Sequence, residues 1–331
     1  MRLGVLAGIS SDWQADLEKV KIAEDLGYEF VGTGESWGAS SIPWLTAIAL
    51  NTSRILIGTT ILNVFSRTPA AMAQDFAVLD QLSEGRMILG LGSSGRLVIE
   101  QFHGVPFKKP LRRLQEYTEV FNSLIAGDRL EYEGQIFAMD RGFRMKYPSY
   151  RNHIPVWIAA ITPKSIVQTG KIADGIFPIH WPRKLFGQLR KDLTDAATAV
   201  GRSSTEMTIA PFTRVYMLDG TNDEAQWSAA RDPLHYYVNR MGTFYYQMLA
   251  RNGYETEVRE SRARWSEHDA EASKAAISDA MVSEIQVIGP PDSVREQLVE
   301  RAACGADLQL IYMPDGTVTE VAHQLEELIK N

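Results

Sequence analysis

The chain has one cysteine in 331 residues, Cys304. A single thiol forms no internal disulfide, which excludes a disulfide-stapled scaffold. Its A-A-C-G-A context at an apparent helix end reads as a buried structural thiol rather than a nucleophile. Long apolar runs are missing too: none reaches the roughly 20 residues of a membrane helix. Met1-Arg2-Leu3 enters a strand at once, without a signal-peptide pattern. A cytoplasmic protein with no membrane partner is the expectation. Basic residues are in deficit, 34 Lys+Arg against 41 Asp+Glu, for a formal net charge of −7. With no Lys/Arg cluster among aromatics, nucleic acid is not an expected partner. The six histidines show neither H-x-x-x-H nor H-x-E-x-H spacing, so no metal site is expected. There is no G-x-S-x-G elbow and no Walker loop, against a serine hydrolase or a P-loop NTPase. The first turn, Gly8-Ile9-Ser10-Ser11-Asp12, lacks the G-x-G-x-x-G of a dinucleotide-binding sheet. Neither a fixed-period repeat nor a low-complexity linker divides the chain, so 1–331 reads as one domain.

What is present is alternation. Strands are expected at Leu3–Ala7, Phe30–Thr33, Arg54–Thr60, Met87–Leu91, Val156–Ala160, Asp174–Phe177, Thr208–Leu218 and Leu308–Tyr312. They are apolar and β-branched, as strands covered on both faces must be. Helices are expected at Trp13–Leu26, Pro43–Asn51, Pro69 to Gly85, Leu111–Ala126, Pro163–Lys171, Lys184–Val200 and Val318–Lys330. Stop signals follow them: Gly27, Gly85 and Gly201. Eight strands alternating with helices match a (β/α)8 TIM barrel. Residues 222–285 are too long for one crossover. They carry Trp227, Tyr236, Tyr237, Phe244, Tyr245, Tyr246, Tyr254 and Trp265, and read as two or three helices inserted after the seventh strand. This aromatic stripe is either core packing or a lid.

In such a fold, chemistry sits at the C-terminal ends of the strands. Glu35 follows the second strand beside Trp37. Partial burial there would raise its pKa and suit it to acid catalysis; a salt-bridged structural role is the alternative. Ser10 and His180 are the other candidates for handling a proton, and His180 reads equally as a satisfied structural histidine. Gly92-Ser93-Ser94-Gly95 offers N–H groups, hydroxyls and backbone freedom for a phosphate or a ring carbonyl. In Ala159-Ala160-Ile161-Thr162-Pro163-Lys164, Thr162 is placed as N-cap and Pro163 at the first helical position. The free N–H groups of that helix end, with Lys164, suit an anion.

Three segments together resemble a known family. They are Asn63-Val64-Phe65-Ser66-Arg67-Thr68-Pro69, Leu79-Asp80-Gln81-Leu82-Ser83-Glu84-Gly85-Arg86, and Gly90-Leu91-Gly92-Ser93-Ser94-Gly95 with Glu100 and His103-Gly104-Val105-Pro106. The chain is similar to the bacterial luciferase-like superfamily, and within it to the coenzyme F420-dependent oxidoreductases. The resemblance runs from Met1 to about Pro182, returns at Val287–Pro314, and is weak over 220–280. It implies an oxidoreductase that moves a hydride between F420 and a small organic substrate. FMN with oxygen, in a monooxygenase, is the alternative cofactor reading, and a non-catalytic cofactor-binding barrel is the alternative class. The resemblance further implies a non-proline cis peptide at Thr60–Ile61 backing the ring. Ring contacts would come from Ser36, Thr60, Ile61, Gly92, Ser93, Ser94 and Gly95, and a phosphate tail would reach Ala160, Thr162 and Lys164. Ser36 stands where relatives usually carry His, so they are poor guides to the proton donor. A homodimer through about Pro43–Leu50 and Ala70–Leu82 is implied as well.

Overall fold

The structure is a computed structural model and describes residues 1–203 and 207–329. The parallel strands are β1 (Leu3–Leu6), β2 (Phe30–Thr33), β3 (Leu56–Thr59), β4 (Met87–Gly92), β5 (Val156–Ala159), β6 (Gly175–Phe177), β7 (Thr208–Ile209) and β8 (Gln309–Tyr312). Each neighbours its successor from β1 to β7, and β8 pairs with β1. The seventh expected strand is broken. Thr208–Ile209 pairs with β6, while Phe212–Thr213 pairs with β8, with Leu310 opposite Phe212. Pro211, which has no N–H to donate, sits at the break. The two ends of the strand path are therefore separated only by Ala210 and Pro211, and the sheet curls back to its own start. The third piece of the expected strand, Val215–Met217, leaves the sheet and pairs with Val287–Gly289.

Helices cover the outside: α1 (Trp13–Asp25), α2 (Ser41–Asn51), α3 (Pro69–Leu82), α4 (Pro110–Ile125), α5 (Pro163–Ile172) and α6 (Phe186–Thr198). Their starts follow local chemistry. Asp12 caps α1 by accepting the Ala15 N–H, and Thr68 caps α3 by accepting that of Ala71, with Pro69 next in line. The last helix is Val318–Ile329; Lys330 of the expected helix lies outside the described residues. Buried carboxylates tie helices to loops. Glu24 of α1 accepts N–H bonds from Ser53, Arg54 and Ile55 at 2.9, 2.6 and 2.9 Å, fixing the entry to β3.

Two expectations change, and one element is unforeseen. Residues 222–285 form more helices than two or three: Asp223–Arg240, Phe244–Leu249, Glu255–Ser266, Ala270–Ala275 and Asp279–Ile285, with a wide turn at Ala250–Tyr254. Cys304 caps the helix Pro291–Ala303 but is half-buried rather than buried. An antiparallel hairpin, Leu130–Glu133 with Ala138–Phe143, joins α4 to β5. Among the described residues, no helix is long and apolar enough to cross a membrane.

Alternation along the strands sends one set of side chains inward and the other toward the helices. The inward set is a separate core of Phe30, Ile88, Trp157, Phe177, Ala210, Leu308 and Leu310. Its rings form a ladder across the interior: Phe30–Trp157 at 5.6 Å, Trp157–Phe177 at 5.5 Å, Phe177–Phe212 at 5.5 Å and Phe212–Tyr312 at 6.3 Å between centroids. This filled interior is the floor of the site above it.

Candidate active site

The peptide Thr60–Ile61 is cis. Its surroundings hold it from both sides. Thr60 N–H donates to the Thr33 carbonyl at 2.7 Å, and Glu35 N–H donates to that of Ile61 at 3.1 Å. A Cβ on Gly34 would lie 2.6 Å from the Thr60 carbonyl oxygen, so only glycine permits this approach. Thr59 Oγ1 accepts the Gly90 N–H and donates to the Gly90 carbonyl, both at 2.8 Å, which locks β3 to β4. Gly92 is buried against Ile61, while Ser93, Ser94 and Gly95 are half-buried. Ser94 adopts φ +58°, a conformation uncommon outside glycine and concentrated at functional sites. Arg96 is exposed, 5.9 Å from the Phe107 ring centroid.

Glu35 sits at the end of β2, and its environment reverses the expected shift. Burial pushes its carboxyl pKa up, but more acts the other way. Arg67 grips both oxygens, at 2.6 and 2.9 Å. The Ser41 N–H donates at 2.7 Å and the Ser40 hydroxyl at 3.2 Å. The net result holds Glu35 below the usual glutamate range, as a carboxylate. It anchors the start of α2 and is not poised as an acid. Ser36 beside it is exposed, as is Trp37. Ser10 is also exposed, and it orders its own turn: its hydroxyl accepts the Asp12 N–H at 3.2 Å, and its N–H donates to Asp16 at 2.6 Å.

His180 follows β6 with φ +55° and is 7% exposed. Its ring meets Tyr237 edge-on at 4.5 Å and Tyr245 at 6.1 Å between centroids. Nε2 is buried without a hydrogen-bond partner. Burial, helped by the charge of Arg214, pushes its pKa down to about 3, so the imidazole is neutral. The Arg214 guanidinium carbon lies 3.8 Å from the Tyr312 ring centroid. The structure thus gathers His180 with Arg214 and three tyrosines at the ends of β6, β7 and β8.

At the start of α5, Thr162 and Ser165 form a capping box: Ser165 N–H donates to Thr162 Oγ1 at 3.2 Å, and Thr162 N–H donates to Ser165 Oγ at 3.0 Å. Pro163 has no N–H, so fewer free donors remain than expected, those of Lys164 among them. Ala160 is buried beneath, and Arg251 reaches over to donate to the Ile161 carbonyl. Sequence reasoning gave no role to Arg67, Tyr237, Tyr245, Tyr312 or Arg251. Arg67 lay inside the 63–69 motif, Tyr237 and Tyr245 inside the noted aromatic stripe, and Tyr312 at the end of the expected eighth strand. Among the described residues, no group of three or more His, Cys, Asp or Glu side chains is placed to hold a metal ion.

A curled parallel α/β sheet carrying a cis bulge and a buried, polar-edged mouth defines a recognisable class. The family model described as luciferase-like monooxygenase matches residues 1–308, and the chain belongs to that family. A Mycobacterium tuberculosis protein, provisionally named a coenzyme F420-dependent oxidoreductase, is 29% identical over 94% of each chain. The 5,10-methylenetetrahydromethanopterin reductase of Archaeoglobus fulgidus is 25% identical over 92% of this chain and 91% of its own. In structure, the coenzyme F420-dependent tetrahydromethanopterin reductase of Methanopyrus kandleri superposes with a TM-score of 0.81 at 21% identity, covering 99% of this chain and 98% of that one. At that identity the superposition speaks for the fold.

Proposed function

We propose that this protein is a coenzyme F420-dependent oxidoreductase acting on a small organic molecule. The likeness over 94% of each chain to a relative named for coenzyme F420 carries the cofactor assignment. The mouth fits a ring lying against the Thr60–Ile61 bulge with a second polar molecule across from it: above the aromatic floor, His180 Nε2 and Arg214 Nε are buried without partners. Orphaned polar atoms are costly, and a bound polar group would satisfy them.

When bound, the deazaflavin would supply the hydride chemistry. Thr60, Ile61, Ser36 and the Gly92–Gly95 loop would hold its ring, with Ala160, Thr162, Lys164 and Arg251 along its phosphate tail. Neutral His180 would hydrogen-bond at the reacting end. Glu35, fixed by Arg67, would position the β2–α2 turn. The fold is read as a (β/α)8 barrel, and 222–285 as a helical insertion within the same domain that roofs the mouth. Exposed Leu50, Val78 and Leu82 on α2 and α3 support a homodimer through those helices; the cytoplasm is its proposed location. A gel-filtration mass of one chain would refute the dimer.

The test is a binding titration with F420 and, separately, with FMN. F420 binding without FMN binding is the expected result. Preference for FMN would favour the monooxygenase reading that the family name also covers. Binding of neither would favour a barrel that does no chemistry.

A further inference from the structure

Arginine is always charged, and taking it out of water without a partner is expensive. Most of the other enclosed arginines here are provided for; Arg113 and Arg301 each keep a buried, unpartnered Nε but sit on the helices Pro110–Ile125 and Pro291–Ala303, outside the sheet, not at a strand end. Arg151 pairs with Asp80 at 2.6 Å, Arg67 with Glu35 at 2.6 Å, and Arg86 donates to the carbonyls of Ala49, Thr52, Ser83 and Ile55. Arg214 differs. Among the described residues, no carboxylate pairs with it, and its Nε is buried without a partner. Its neighbours are phenols: it stacks on the Tyr312 ring, and its charge acts on both Tyr216 and Tyr312. Asp232, whose charge reaches Tyr216, is paired with Lys274 at 2.5 Å.

Direction matters as much as charge. Phe212 points inward, in ring contact with Phe177, so Arg214 two residues on lies on the same face, at the mouth. Nearby His180 presents a second unpartnered polar atom, Nε2, at 7% exposure. Tyr237 flanks it with an apolar wall. In the strand path β7 lies four positions from β3 whichever way round one counts, so this corner is across the mouth from the Thr60–Ile61 bulge.

We propose that Arg214 anchors a carboxylate on the substrate, making the substrate a small organic acid whose apolar body lies among the tyrosines. This rests on the oxidoreductase reading above. A planar guanidinium takes a carboxylate in a two-point grip, and the buried imidazole can donate a further bond.

The test needs no knowledge of the true substrate. Binding of benzoate and of its neutral isostere benzamide is measured by calorimetry on the F420-loaded protein and on the protein alone. Benzoate is expected to bind at least about tenfold tighter, the worth of one charge-assisted bond. Arg214→Met should erase that preference while leaving F420 affinity and the melting temperature unchanged, and Arg214→Lys should restore part of it. Equal binding of acid and amide by the wild type overturns the proposal without any variant. So does an Arg214→Met protein that still prefers the acid. A preference for benzoate in a protein that fails to bind F420 would leave the acid site standing and remove the cofactor reading; F420 binding without acid preference would do the reverse.

Discussion

Replacing Glu35 by Gln tests the ion pair at the end of β2. The amide keeps the carboxylate's shape and one oxygen for the Ser41 N–H, but takes away the charge facing Arg67. Losing one partner costs about 3–5 kcal/mol when a pair is fully buried and about 0–1 kcal/mol when it is exposed. The side chains here are 11% and 22% exposed, so about 2–3 kcal/mol is expected. For 331 residues the unfolding entropy is about 0.7 kcal/mol/K, which converts that loss to a fall of about 3–4 °C in melting temperature. Thermal unfolding followed by circular dichroism at pH 7 reads it directly. The pH dependence supplies the sign. Glu35 is held below its ordinary value of 4.5, so its contribution is complete above that pH and is lost as pH falls through the lower folded-state value. The gap between wild type and variant should therefore close on acidification. A gap under about 1 kcal/mol at pH 7, or one that persists unchanged at about pH 3, would refute the ionic account.

Other perturbations probe other parts of the site. His180 should stay neutral to about pH 3, so its ring signals in an NMR titration should not move between about pH 5 and 9. Because unfolding frees it to titrate near 6.5, wild-type stability relative to His180→Gln should decline as pH drops from 6.5 toward 3; a flat difference would contradict the burial. Gly90→Ala would put a methyl 1.7 Å from the Thr59 carbonyl, and a loss above about 3 kcal/mol, seen as insoluble or unfolded protein, is expected. Thr162→Ala removes half of the capping box and should cost about 1 kcal/mol in chemical denaturation, with no change in the denaturant slope.

What could be read in the sequence was what is local or periodic. The β-branched runs marked the strands, and Thr162-Pro163 marked the start of α5, because both signals lie within a few residues. The site's charges were not legible in the same way. Glu35 was read from its own neighbourhood, where burial alone raises a pKa. Arg67, 32 positions away, decides the outcome, and only the fold brings it there. Tyr237 and Tyr245 stood out as aromatic, yet nothing in their spacing said that their rings would close on His180. The hairpin at 130–143 escaped because most of its residues face solvent or are half-buried, leaving little apolar alternation. The broken seventh strand looked continuous because Val215–Met217 is β-forming by composition and simply finds another partner.

That other partner has a consequence for how such an enzyme can change. Val215–Met217 and Val287–Gly289 are parallel neighbours, Val215 opposite Val287, so the chain departs at Met217 and returns at Val287 diagonally across the pair, a gap of about 8 Å. The distance across the doorway does not depend on how much polypeptide lies beyond it, and lengthening a loop whose ends already lie close together costs little. Evolution can therefore trim, extend or exchange everything between the two strands without retuning the register of the ring. Tyr237 and Tyr245 belong to the exchangeable part; His180, Arg214 and Tyr312 do not. The pocket is half inherited and half replaceable, which lets new preferences arise by swapping one wall while the opposite wall stays in place.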